Sequence, residues 1–339
     1  MRIVLDAMGS DRHPDPEIQA AIKATQVYDD DILLVGPKDL LEAKFDSVPH
    51  SPKLHLVHAS QVLEMTDKPA ENARRKSDTS MAVGMELLRS GEADVFITAG
   101  NTGGAMATAL FQLRRIRGVR RPALTAQFPV RNGHCIVLDI GANADCKAEY
   151  LIQFALMGSI YAEKVLGKSP PKVALLSNGE EAGKGNQLIK ETYPLLKELI
   201  PNFIGNVEPK ELFNGDADVV VTDGFTGNIL LKSSEAVAKF LTDLIRSEMM
   251  KSTRTKVGAL LAKPAFAAIK KIMDPGEVGA APLLGVNGLV FIGHGRSDEM
   301  ALLNAIRVAR QAVESGLLRE LQLAISERLS ALPSTFTED

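Results

Sequence analysis

Three short loops of this sequence carry the residue types that handle anions. Gly100-Asn101-Thr102-Gly103-Gly104 follows the apolar run Val95 to Thr98 and opens a helix-like stretch, Ala105 to Leu113. Backbone N–H groups exposed at such a turn form an anion site, and three glycines in five residues let something approach the backbone closely. Asn101 and Thr102 are also good helix caps. Asp223-Gly224-Phe225-Thr226-Gly227-Asn228 repeats the design after Val219 to Thr222.

The loop from Gly179 to Asn186 has the outline of a nucleotide-binding P-loop but fails its test. Three residues, not four, separate Gly179 from Gly183, and Gly185 stands after Lys184 where a Ser or Thr would hold Mg²⁺. ATP chemistry is therefore not expected. Lys184 remains a cation in a Gly-flanked loop, suited to phosphate or to charge developing on an acyl oxygen, unless it is a solvated surface lysine.

Beyond another apolar run, Asp139 to Lys147 packs Asp139, Gly141, Asn143, Asp145, Cys146 and Lys147 into nine positions. Cys146 has no sequence neighbour that would serve as its base, so small-residue packing is its expected role. His294, in Gly293-His294-Gly295, is the histidine at a strand-end turn; it could donate a proton to a leaving thiolate, or cap or orient a ligand. No His, Cys, Asp or Glu pair has metal-site spacing, and no full dinucleotide fingerprint follows a strand, so neither metal nor cofactor is assigned.

These loops need elements to position them. β-branched and aliphatic runs recur at Arg2 to Leu5, Ile32 to Val35, Leu54 to Val57, Val95 to Thr98, Cys135 to Leu138, Val173 to Leu176, Val219 to Val221 and Leu289 to Ile292. Helical periodicity lies between them, as in Met81 to Leu88, Met106 to Leu113 and Tyr150 to Val165. The alternation predicts a mostly parallel sheet with helices on both faces. It places Asp6, Met8 and Gly9, the turns already named and His294 at carboxyl strand ends, expected on one edge, where α/β sheets bind ligands.

With 339 residues the chain can bury a large core, and no repeat or Ser/Pro-rich linker divides it. A balance of 39 basic and 42 acidic residues and the absence of Trp argue against a nucleic-acid partner. Two cysteines without metal spacing fit a reducing cytoplasm, and neither an export signal nor a spanning segment is expected.

Asp6-Ala7-Met8-Gly9 with Asp11, Ala99 to Gly104, Asp139 to Lys147, Ser177 to Asn186, Thr222 to Asn228, and Gly285 through His294-Gly295 together make the chain resemble the bacterial phosphate acyltransferases of phospholipid synthesis, the acyl-ACP:phosphate transacylases. The likeness covers nearly the whole chain. Ser10 stands where that family usually has a second glycine, and Ala144 and Ala148 replace its commoner Val and Pro. The resemblance implies one α/β/α domain over residues 1–339, similar to isocitrate and isopropylmalate dehydrogenases and to phosphotransacetylases, acting as a homodimer. It also implies transfer of a fatty acyl group from acyl carrier protein to inorganic phosphate, the acyl phosphate passing to a membrane glycerol-3-phosphate acyltransferase.

On this reading the amides from Asn101 to Gly104, with Lys184, hold phosphate, and Asn228 donates to the thioester carbonyl. Asp6, Asp139 and Asp145 orient phosphate or its proton, with Met8, Gly9, Thr102, Gly103, Gly141, Asn143, Lys147, Asp223, Thr226, Gly227 and His294 as further binding residues. The basic run Arg114, Arg115, Arg117, Arg120 and Arg121 offers an acidic carrier protein a landing area, or is a solvated helix end. A dehydrogenase would need a nicotinamide site, and a scaffold would not need converging polar strand ends.

Between residues 233 and 275 the alternation pauses. Val237, Phe240, Leu241, Leu244 and Ile245 recur at helical spacing and suit packing on the sheet or on a second subunit. Val257, Leu260, Leu261, Phe266, Ile269 and Ile272 form a further apolar set among Lys256, Lys263 and Lys270. Pro264 is expected to split this segment into two short helices whose joint forms a tip. Such a tip would anchor a cytoplasmic protein peripherally to the inner face of an anionic membrane, unless the apolar set is only dimer core.

Overall fold

Strands β1 (Arg2–Asp6), β2 (Asp31–Gly36), β3 (Leu54–His58), β4 (Val95–Thr98), β5 (Ala123–Val130), β6 (Gly133–Leu138), β7 (Val173–Leu176), β8 (Phe203–Val207), β9 (Val219–Val221), β10 (Ala280–Leu284) and β11 (Val290–Gly293) form one eleven-stranded sheet in a computed structural model. The structure describes residues 1–45, 51–68, 71, 73, 75–131 and 133–329. The helices are α1 (Asp15–Val27), α2 (Lys38–Phe45), α3 (Ser80–Arg89), α4 (Thr102–Gln112), α5 (Ala148–Leu166), α6 (Gln187–Leu199), α7 (Pro209–Asn214), α8 (Gly224–Met249), α9 (Thr253–Met273), α10 (Glu299–Glu314) and α11 (Leu317–Leu329).

Strand residues alternate between two cores because successive side chains leave opposite faces of a pleated strand. Ile3, Leu5, Ile97, Ile136, Leu138, Val219 and Val221 join one core, with α1, α5, α10 and α11. Val4, Phe96, Val137, Val220 and Ala174 join the other, with α3 and α4. The expected three layers and mostly parallel sheet are observed. Phe96 is fully buried, and truncating it to alanine would cost about 3–5 kcal/mol.

The strand order is β3-β2-β1-β4-β11-β10-β5-β6-β9-β7-β8. β10 runs antiparallel to both β11 and β5, and β5 pairs antiparallel with β6 in a hairpin. Across these three pairings the chain direction reverses. β1 to β4 and β11 therefore run one way, and β6, β9, β7 and β8 the other. The carboxyl strand ends do not share one edge as expected; they divide into two groups. β5 and β10, the strands that cause the reversal, are interrupted by Pro129 and Pro282 and rich in alanine, which weakens their strand signal.

Helices α8 and α9 pack on each other as a hairpin. Of the residues of α8, Gly224 and Gly227 are buried; of those of α9, none is. Phe240, Leu241, Leu244 and Ile245 are exposed, so they do not pack on the sheet. Pro264 does not split the segment, and α9 runs through it unbroken. An interior proline costs about 3 kcal/mol, but alanines at 259, 262, 265, 267 and 268 favour helix, and Ser252 and Thr255 cap its start reciprocally. The tip is instead the turn Met250-Lys251-Ser252. Lys256 lies near it, whereas Leu260, Leu261, Lys263 and Phe266 lie along the helix flank; Leu260 and Leu261 are 69% and 78% exposed.

Candidate active site

β6, β9 and β7 are adjacent and parallel, so the loops that follow them stand side by side. Asp139, buried just past β6, accepts hydrogen bonds from the Leu124, Gly141, Ala142 and Asn143 amides at 2.6–3.2 Å and from Asn143 Nδ2 at 2.8 Å. Burial raises its pKa, and these hydrogen bonds oppose the rise. Asn143 also passes Nδ2 to the Pro122 carbonyl and accepts from the Gly224 amide at 2.7 Å. Asp139 thus organises the turn and is enclosed by it, while Gly141, Asp145 and Lys147 face solvent.

Past β9, Asp223 caps α8 by accepting from the Thr226 amide and hydroxyl, both at 2.8 Å. Gly227 lies so close to Asp139 that a Cβ there would overlap the Asp139 carbonyl oxygen. The glycine is required by helix packing onto the turn. Asn228, the next residue, is exposed. Past β7, Lys184 is exposed on the loop that ends where Asn186 caps α6. Lys184 and Asn228 are thus exposed on segments that follow the neighbouring parallel strands β7 and β9, and the turn after the adjacent β6 is fixed by the buried Asp139.

The second group lies at β1, β4 and β11. Asp6 is buried and accepts from the Met8 amide at 3.0 Å and the Thr98 hydroxyl at 2.7 Å; burial raises its pKa. Met8 and Gly9 are buried beside it, and a Cβ on Gly9 would stand 2.7 Å from the Ala99 nitrogen. Asn101 caps α4 through the Gly104 amide at 2.9 Å and donates Nδ2 to the Met65 carbonyl at 3.0 Å. Gly104 is buried, Gly103 half-buried and Thr102 exposed. His294 is exposed, its Nδ1 accepting from the Arg296 amide. Met8, Gly9, Ser10, Asp11 and His13 line a pocket of about 210 Å³ with Leu63, Glu64 and Met65.

Glu17, on α1, escaped sequence reasoning because an acidic residue in a first helical turn looks like ordinary dipole pairing. It is buried, accepts from the Ser10 amide at 2.8 Å, and its other oxygen has no partner among the described residues. Burial pushes it up to about 7. The same cause pushes the Cys146 thiol up to about 12, which removes the thiolate a nucleophile requires.

The arginine run begins at a helix end: Leu113 caps α4, and Arg114, with φ +63°, donates its amide N–H back to the Ala109 carbonyl before the chain becomes irregular. Arg114, Arg115, Arg117 and Arg121 are exposed and Arg120 half-buried. Arg115 donates to the Arg120 carbonyl, while Gln153 holds the Arg120 amide and the Gly118 carbonyl. Leu110, Phe111, Arg114 and Arg115 line a groove of about 370 Å³. Among the described residues no helix is long and apolar enough to cross a membrane.

A family model described as fatty acid synthesis protein matches residues 1–320. Proteins named phosphate acyltransferase from Elusimicrobium minutum and Clostridioides difficile are 47% and 44% identical to this chain, over 96% of it and over 96% and 97% of their own lengths. A phosphotransacetylase from Streptococcus pyogenes superposes with a TM-score of 0.62 at 17% identity, covering 93% of this chain and 94% of its own. A 4-hydroxythreonine-4-phosphate dehydrogenase from Klebsiella pneumoniae does so at 0.55 and 12%, covering 92% and 99%. Those two likenesses establish the fold.

Proposed function

The chain belongs to the phosphate acyltransferase family, and from that premise we propose that it transfers a long-chain fatty acyl group from acyl carrier protein to inorganic phosphate, giving acyl phosphate for phospholipid synthesis. The observation that supports the assignment of roles is the exposure of Lys184 and Asn228 on the segments that follow the adjacent parallel strands β7 and β9. A phosphate oxygen attacks the thioester carbon, Asn228 donates to the carbonyl oxygen as it becomes an oxyanion, and Lys184 holds the phosphate. The carbon–sulfur bond then breaks, and the thiolate of the carrier's prosthetic arm leaves and takes a proton from water. No covalent enzyme intermediate is needed.

Asp145, Lys147 and Gly141 border this centre from β6. Asp139, Asn143, Asp223, Thr226 and Gly227 hold its shape. Asp6, Met8, Gly9, Thr102, Gly103 and His294 form the second substrate-binding group, with Asn101 and Gly104 setting its turn. The arginines from 114 to 121 receive the acidic carrier protein. The hairpin of α8 and α9 serves dimer packing and contact with an anionic membrane, where a glycerol-3-phosphate acyltransferase takes the product; its exposed apolar residues among lysines support that reading. Purified protein given acyl-ACP and phosphate, with no nucleotide or metal added, should release carrier protein only when phosphate is present. Release independent of phosphate would sink the assignment.

A further inference from the structure

The loop that carries Lys184 is tied to the sheet by a residue that is distant in sequence. Asn206, on β8, is 6% exposed. Its Nδ2 donates to the Glu181 carbonyl at 2.9 Å, and the Lys184 amide donates to that same oxygen at 3.0 Å. The Lys184 stem folds back over Gly179, where a Cβ would stand 2.7 Å from Lys184 Cγ. One carbonyl oxygen thus joins the edge of the sheet to the backbone of the lysine.

We propose that Asn206 is a positioning residue for Lys184, acting through the Glu181 carbonyl. A buried amide is unfavourable unless bonded, and Asn206 Oδ1 has no partner among the described residues. An apolar side chain of similar size would suit this place better if packing were its whole task. The loop contains Gly183 and Gly185, and Glu180, Glu181 and Lys184 are exposed, so little else restrains its middle. Fixing the carbonyl beforehand spares the reaction the entropy of ordering the lysine at each turnover.

The proposal rests on the role given to Lys184, so the test is a double-mutant cycle of Asn206→Leu and Lys184→Ala, read as kcat, KM for phosphate and thermal midpoint. Asn206→Leu should lower kcat about 5- to 30-fold with its melting temperature at or above that of the parent, and the double variant should be no slower than Lys184→Ala alone. Losses that multiply in the double variant, or a parental rate for Asn206→Leu, overturn the positioning role while leaving Lys184 in place. A parental rate for Lys184→Ala overturns the reading of Lys184 and the proposal with it. If Asn206→Leu does not fold, Asn206→Ala is read in the same way.

Discussion

The turn between β6 and α5 and the body of the helical hairpin are built on opposite terms. In the turn, five donors close on one buried carboxylate and a glycine is needed because backbone meets backbone. Along the hairpin, Phe240, Leu241, Leu260 and Leu261 stand exposed. α8 belongs to both regions, buried at Gly224 and Gly227, half-buried against the core at Leu230 and Leu231, and open from Phe240 on through Ile245. The contrast separates groups that hold shape from groups that meet something else. Asp139 and Asp223 hold structure, whereas Lys184 and Asn228 are exposed and are the residues to which we assign the chemistry.

The sharpest way to break this division is to remove the exposed pair. Lys184→Ala and Asn228→Ala should each lower turnover by about tenfold to a thousandfold, as losing a charge-stabilising donor costs on the order of 1.4–4 kcal/mol, and neither should move the thermal midpoint. Near-parental rates in both would return the chemistry to the second group of strand ends.

Glu17 tests the interior side. Its pKa rises from an ordinary 4.5 to about 7 on folding. Between those values the folded state keeps a proton that the unfolded state has lost, so stability falls as pH rises through the window, and the deficit is complete above it. Glu17→Gln, which retains an acceptor for the Ser10 amide, should be more stable than the parent by about 3 kcal/mol at pH 8 and close to it below pH 4.5. Denaturant titrations showing a difference independent of pH would contradict the burial argument.

On the hairpin, replacing Leu260 and Leu261 together by glutamate should weaken co-sedimentation with anionic liposomes by about tenfold or more, with activity in solution retained. Parent binding should also weaken with added salt. A double variant that sediments like the parent would assign the exposed face to a second subunit instead. The smallest effect is expected at Cys146→Ala, within about twofold of parental activity, because its thiol stays protonated. An inactive but folded variant, with acyl-enzyme seen in the parent by mass spectrometry, would replace direct attack by a covalent route.

Much of this architecture was legible where local pattern and tertiary role coincide. The runs at Ile32 to Val35 and Val173 to Leu176 read as strands because buried parallel strands are continuously aliphatic. β5, β8 and β10 did not, and β5 and β10 set the direction of half the sheet; a strand list without them makes every turn converge. Asn101 and Asp223 were visible as turn residues, yet their capping bonds and their possible ligand contacts call for the same residue types. Glu17 and Asn206 left no local signal, since what distinguishes them is burial against chain far away in sequence. Pro264 misled for the opposite reason: a strong local rule yielded to the capped, alanine-rich helix around it.

The anchoring of α8 has a mechanical consequence. The helix is clamped where Gly224 and Gly227 meet the Asp139 turn, and its far end, Met250, lies about 33 Å from Asn228 at 1.5 Å per residue. It has the form of a lever with its fulcrum at the Asp139 turn. A tilt of about 10° about that fulcrum carries the far end about 6 Å, yet moves Asn228 by only about 0.3 Å. At such a tilt the far end of the hairpin travels about twenty times as far as the helix axis at Asn228.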